Sequence, residues 1–227
     1  ETLFIFVPGI DDISPLGNLK NLKELTILAV GVIDSKPFEN LKSLQKLTID
    51  ISKSDLAFIS RLTNLESLDL SNQDINDISF LSGLTKLKEL NLKHAKIIDI
   101  TPLKNVINLE VLNLDESQVN DIKPLAKLTM MKSLNFYNLP INDINSLENM
   151  PNLETLILWG TNVSDLKPLA GHANLQTLTL INTQVTNIDA LSRCTNLKTL
   201  ELANTHINNI KVLENLNNLE KLSLSMT

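Results

Sequence analysis

The sequence predicts an α/β solenoid: a right-handed coil with one parallel β-sheet on its concave face and turns and short 3₁₀ segments on its convex face. Three observations predict it. Apolar residues recur with a fixed period of 22 residues along most of the chain, and a period of this length marks stacked units that cannot bury their apolar side alone. Within each unit a short stretch alternates outward and inward, as in Ser67-Leu68-Asp69-Leu70-Ser71. The return leg is broken by Asp and Pro, as in Asp99-Ile100-Thr101-Pro102-Leu103.

The alternating stretch comes first in each unit. Counted from Leu65 as position 1, positions 3 to 7 read as a half-buried strand. Stacking the units sets these strands side by side, about 4.8 Å apart, as a parallel sheet. The return leg is too short for a long helix, and proline fits only its first turn or a break. Turns and short 3₁₀ pieces are expected there. Inward positions are 1, 4, 6, 11, 14, 17 and 20, filled in the unit from Leu65 by Leu65, Leu68, Leu70, Ile75, Ile78, Leu81 and Leu84. The next unit repeats them as Leu87, Leu90, Leu92, Ile97, Ile100, Leu103 and Val106.

The segments NLESLDLSNQDINDISFLSGLTKL, NLEVLNLDESQVNDIKPLAKL and NLETLILWGTNVSDLKPLAG carry a resemblance to a known family. They resemble the leucine-rich-repeat family in its 22-residue, bacterial internalin-like form. The likeness covers essentially the whole chain. It implies a leucine-rich-repeat horseshoe that binds a partner protein; no residue set supports an enzyme, and no cofactor is expected. It further implies a bacterial surface or secreted protein engaging a host protein, in an extracellular or cell-surface setting. The alternative is a regulatory or targeting repeat domain of a larger intracellular or effector protein. The chain departs from the family at position 9, where Asn is usual and Gln73, Ala95, Ser117, Leu139, Thr161, Thr183 and Thr205 stand here. Ser and Thr hydroxyls can do part of that asparagine's hydrogen bonding; at Ala95 and Leu139 the turn needs other partners.

Composition narrows the function classes. The net charge is −6 and the pI about 5.1, with no cluster of Lys or Arg, which argues against a nucleic-acid or anionic-membrane partner. No apolar run is long enough for a membrane span. Cys194 stands at inward position 20 and reads as a small core residue. His94, His172 and His206 fall at position 8, beside position 20 and at position 10 of separate units, so no metal site or catalytic triad is expected from them. The glycines are scattered and form no phosphate loop. One row of ionisable groups is ordered: Asp77, Asp99, Asp121, Asp143 and Asp165, all at position 13. Either they cap the following turn through backbone N–H groups, or they form a carboxylate ladder for a cation. Asn187 and Asn209 continue the row without charge and favour capping.

The ends and one unit are irregular. The first strand, Leu3-Phe4-Ile5-Phe6-Val7, turns Phe4 and Phe6 outward, and Leu28 follows them in the next strand. An apolar edge of this kind needs a cover, so the natural chain is expected to extend further. The last unit stops soon after Leu222 and Leu224. The reading is one repeat domain over 1–227 with partial repeats at both ends, monomeric unless the terminal strands pair. The unit 44–64 has 21 residues, and a kink is expected where one is missing, between Ile49 and Lys53.

With this register the outward strand residues can be named. Position 7 carries the chain's one Tyr and one Trp, Tyr137 and Trp159, in consecutive units, followed by Ile181. Ile157 stands beside Trp159 on the same strand, and Asn135 beside Tyr137. Tyr137, Ile157, Trp159 and Ile181 make an expected apolar binding patch. Asp115, Glu116, Lys93 and His94 flank it as an expected polar rim.

Overall fold

The computed structural model describes residues 1–6, 12–29, 34–51 and 55–227. Eleven strands form one parallel sheet: β1 (Thr2–Phe6), β2 (Glu24–Ala29), β3 (Lys46–Ile51), β4 (Ser67–Asp69), β5 (Glu89–Asn91), β6 (Val111–Asn113), β7 (Ser133–Asn135), β8 (Thr155–Ile157), β9 (Thr177–Thr179), β10 (Thr199–Glu201) and β11 (Lys221–Ser223). Each strand pairs with the next in sequence, so spatial order equals chain order. This is the solenoid that the period predicts.

From β4 onward the strands are shorter than the five residues expected. The ladder nevertheless continues beyond them. The N–H of Leu92 donates to Asn113 O at 2.9 Å, and that of His94 to Asp115 O at 2.8 Å. Extended geometry stops because position 8 turns left-handed, at Asn72, His94, Glu116, Asn138, Gly160, Asn182, Asn204 and Met226. Asn and Gly tolerate that conformation at least cost, which explains why they dominate the position. At Gly160 a Cβ would collide with the Asn138 side chain of the preceding coil.

The inward positions form one continuous core, with Leu68, Leu90, Leu112, Leu134, Leu156, Leu178 and Leu200 stacked as one column behind the sheet. Pairing advances 22 residues from Ser67 to Glu89 but 21 from Lys46 to Ser67, where the short unit intervenes. Residues 52–54, which include the C-terminal part of the predicted kink, lie outside the described residues, as does Val7. Phe4 and Phe6 face solvent, at 63% and 68% exposure, as the alternation predicts.

The convex side consists of ten 3₁₀ segments, each three to five residues long, among the described residues. Pro15, Pro37, Pro102, Pro124 and Pro168 sit within the first turn of theirs, where the missing N–H costs no hydrogen bond. The aspartate row precedes them. Each Oδ1 of Asp77, Asp99, Asp121, Asp143 and Asp165 accepts the N–H two residues on, at 2.7 to 2.9 Å. Asn187 and Asn209 accept in the same way at 2.6 and 2.9 Å. Capping is therefore the job these residues do.

At position 9 the threonines solve the problem locally, whereas Gln73 reaches Asp50 of the preceding coil and the buried Ser117 hydroxyl finds no partner among the described residues. Thr161, Thr183 and Thr205 donate their hydroxyls to the carbonyl three residues back, each at 2.7 Å. At Ala95 and Leu139 only the backbone N–H reaches that carbonyl, at 3.0 and 3.2 Å. A second asparagine ladder, absent from the sequence reading, ties the coils at position 22. The Nδ2 groups of Asn108, Asn152, Asn174, Asn196 and Asn218 donate to a carbonyl of the preceding coil at 2.7 to 3.1 Å.

Candidate functional site

The concave face is built from positions 3, 5 and 7, which the pleat turns away from the core. In β4 to β7 position 5 is Asp69, Asn91, Asn113 and Asn135. Each accepts the N–H two residues on through its Oδ1, at 2.9 to 3.3 Å. In β8 that acceptor gives way to Ile157, and in β9 to Thr179. Polar backbone capping thus stops at the coil where apolar side chains take over the face.

Tyr137 and Trp159 follow from this arrangement. Their coils are neighbours, and their rings meet edge to face, with centroids 5.3 Å apart and planes at 84°. That geometry suits the aromatic quadrupole. Trp159 stays 38% exposed, while Tyr137, Ile157 and Ile181 are half-buried beside it. The structure brings together the four apolar residues that the sequence reading groups.

The charged flank is more layered than a rim. Lys93, His94 and Glu116 lie at the surface, and His94 Nδ1 stands 3.0 Å from Glu116 Oε2. Asp115, however, is only 6% exposed. Its Oδ1 accepts the Tyr137 N–H at 3.2 Å, and its Oδ2 lies 3.8 Å from Lys93 Nζ. Burial raises its pKa above the ordinary carboxylate value, against the opposing pull of that N–H and of Lys93. It holds the Tyr137 backbone from the neighbouring coil. Asn135 is likewise committed to the Tyr137 N–H, at 3.3 Å. Sequence reasoning places both on the face because position alone does not reveal how deeply a short side chain sinks between coils.

The three histidines are kept apart by role. His94 pairs with Glu116, His206 is exposed, and His172 takes inward position 20 itself, not the place beside it. There its Nε2 lies 3.1 Å from Leu147 O, and burial lowers its pKa. Cys194 occupies the same position one coil later. It is fully buried, its thiol donating to Leu169 O at 3.5 Å, and burial pushes its pKa up to about 11. A thiol in that state is unreactive. Among the described residues no group of three or more His, Cys, Asp or Glu is placed to hold a metal, and no helix is long and apolar enough to cross a membrane. A groove of about 600 Å³ lies on the convex side, between Lys167 and Arg193, away from the aromatic patch. The carboxylate of Asp165 there is already engaged by the turn it caps.

Comparison with known proteins agrees with this geometry. The model for Leucine Rich repeats (2 copies) matches residues 63–105 and 151–193. An internalin (inlF) from Listeria monocytogenes is 30% identical over 95% of this chain and 71% of its own, with a TM-score of 0.83. An internalin C2 from the same organism is also 30% identical, over 74% of each chain, with a TM-score of 0.73. A plant peptide hormone receptor in complex with RGF2 shares the fold at 22% identity and a TM-score of 0.77, over 97% of this chain and 39% of its own. No curated protein matches the chain. By repeat length, by sheet and turn geometry and by these relatives, the chain belongs to the internalin-like family of leucine-rich-repeat proteins.

Proposed function

We propose that the concave sheet binds a partner protein, with Tyr137, Ile157, Trp159 and Ile181 as its apolar contact. The observation that carries this reading is the edge-to-face pair Tyr137–Trp159, held on adjacent coils with the indole left open to solvent. An exposed aromatic cluster on a rigid sheet supplies contact area at low cost in side-chain entropy. Lys93, His94 and Glu116 would border the contact, and Asp115 and Asn135 would hold the Tyr137 backbone in place. The family supports the reading, since its members serve as interaction modules. The plant receptor with the same fold is in complex with RGF2. The finer reading is a bacterial surface or secreted protein engaging a host protein, supported by the two Listeria relatives. The unbroken sheet supports one repeat domain over 1–227.

The test is a screen of the wild-type chain against an array of purified receptor ectodomains, repeated with Trp159→Ala. Partners of the concave face lose at least about tenfold in affinity, as expected for a central aromatic anchor. Equal recovery of every partner by both proteins removes the site.

A further inference from the structure

The charge on the concave face is lopsided about the aromatic patch. Positions 3, 5 and 7 of the β7, β8 and β9 coils carry Ser133, Asn135, Tyr137, Thr155, Ile157, Trp159, Thr177, Thr179 and Ile181, none of them charged. On the far side, towards β11, the one carboxylate is Glu201. It is already matched by Lys221 Nζ at 2.6 Å and the Thr179 hydroxyl at 3.1 Å. On the near side the coils of β3, β4 and β5 present Asp50, Asp69 and Glu89. Neutral donors hold all three. Gln73 Nε2 reaches Asp50, Asn91 Nδ2 reaches Asp69, and the Ser67 hydroxyl reaches Glu89. Among the described residues no lysine, arginine or histidine lies within ion-pair distance of any of them. Lys46, on the same face, is turned to Glu24 at 3.7 Å, and Lys93 to Asp115 at 3.8 Å. Carboxylates with no direct ion pair, Glu89 feeling only the longer-range field of Lys88, therefore sit beside an exposed apolar patch, and on one side of it only.

We infer that the partner segment carries a lysine or arginine roughly five residues from the apolar side chain it sets against Tyr137 and Trp159. This rests on the concave-face reading above. Neighbouring strands lie about 4.8 Å apart and residues along a strand about 3.3 Å, so Glu89 at position 3 of β5 and Asp69 at position 5 of β4 each stand roughly 16 Å from Tyr137 at position 7. An extended segment crossing the sheet diagonally advances about 3.4 Å per residue and covers that distance in roughly five residues. The apolar anchor excludes water at the aromatic pair, while the basic group meets Asp69 and Glu89 in a partly hydrated setting. Charges placed in this way act mainly on encounter rate and register. Glu201 and Lys221 leave no corresponding demand on the other side, so the charge also fixes which way the segment lies.

The experiment selects a random linear peptide display library on the immobilised full chain, in parallel with Trp159→Ala. Binders are then measured by the fluorescence anisotropy of the labelled peptide, a readout that serves the wild type and every variant. The inference expects Trp159-dependent peptides that pair an aromatic or aliphatic residue with Lys or Arg at that spacing. Their affinity for the wild type should fall as salt screens the pair, and it should fall roughly tenfold, with a weaker salt dependence, in an Asp69→Asn/Glu89→Gln double variant. Thermal melts of the double variant verify its fold. Trp159-dependent peptides without basic enrichment, or unaffected by the double variant, overturn the charge inference and leave the aromatic site standing. Binders indifferent to Trp159→Ala overturn both. A dimer in sedimentation that Trp159→Ala abolishes shows the patch to be covered by a second copy of this chain, and likewise overturns the inference.

Discussion

Leu90 and Leu112, under the charged half of the concave face, hold the same inward position as Leu134, Leu156 and Leu178 under the uncharged half, and all five are buried. One atom layer further out the two halves share only the position-5 asparagine cap, which continues from Asn91 and Asn113 to Asn135. The coils of β4 to β6 carry Asp69, Glu89, Lys93 and Asp115, mostly tied to neighbours. Those of β7 to β9 carry Tyr137, Ile157, Trp159 and Ile181. Close packing leaves the interior little freedom, because a changed volume is felt by both adjacent coils. The outward face has no such neighbour above it. The fold is therefore written in the repeated positions, and the partner in the unrepeated ones.

Breaking the interior should hurt both halves alike. Leu112→Asp and Leu156→Asp each bury a charge without a partner, so each should cost several kcal/mol, roughly 4 or more. Both variants should lose the cooperative melt of the middle coils, followed by circular dichroism. A mild effect at either site would show that the two halves do not share one core.

The outer layer should separate binding from stability. Trp159→Ala gives up the edge-to-face contact, worth about 0.5 to 1.5 kcal/mol, while binding through the patch falls at least about tenfold. The melting temperature and a binding isotherm, taken on the same preparation, decide between a surface anchor and a structural residue.

The convex side offers a smaller contrast. Asp121→Ala removes the acceptor for the Lys123 N–H and should cost about 1 kcal/mol, the usual loss for a missing cap. Asp121→Asn should be nearly neutral, since Asn187 and Asn209 already do this work. Chemical denaturation of both variants tests whether the charge has any role at position 13.

Asp115 gives the smallest effect, with a definite sign. Its folded pKa lies above the ordinary value of 3.8 because burial disfavours the carboxylate. The folded state thus binds this proton more tightly than the unfolded state. Its contribution to stability falls as pH rises from about 3.8 through the folded value. Asp115→Asn keeps an acceptor for the Tyr137 N–H, and it should flatten that decline and leave the protein slightly more stable at neutral pH. Melting temperature against pH for the two proteins measures it. An unchanged slope would return Asp115 to the solvent-facing rim.

Much of this was legible in the residues. The alternation around Leu68 and Leu70 predicts strands and their facing, and Asn187 and Asn209 reveal that the aspartate row caps turns. Grouping Tyr137, Trp159 and Ile181 needs only the register, because consecutive units place like positions side by side. The position-22 asparagines and the left-handed position 8 carried a signal too, an excess of Asn and Gly at fixed places. A search for apolar periodicity passes over it.

The sequence by itself determined the coil, its register and the faces of its strands, because those depend on which side chains leave water, a choice made 22 residues at a time. Only the tertiary structure decided the depth of Asp115, the edge-to-face meeting of Tyr137 with Trp159 and the anchoring of Asn152 to the coil before it. Each of those is set by the distance and orientation between one coil and the next. That spacing exists only once the coils have stacked.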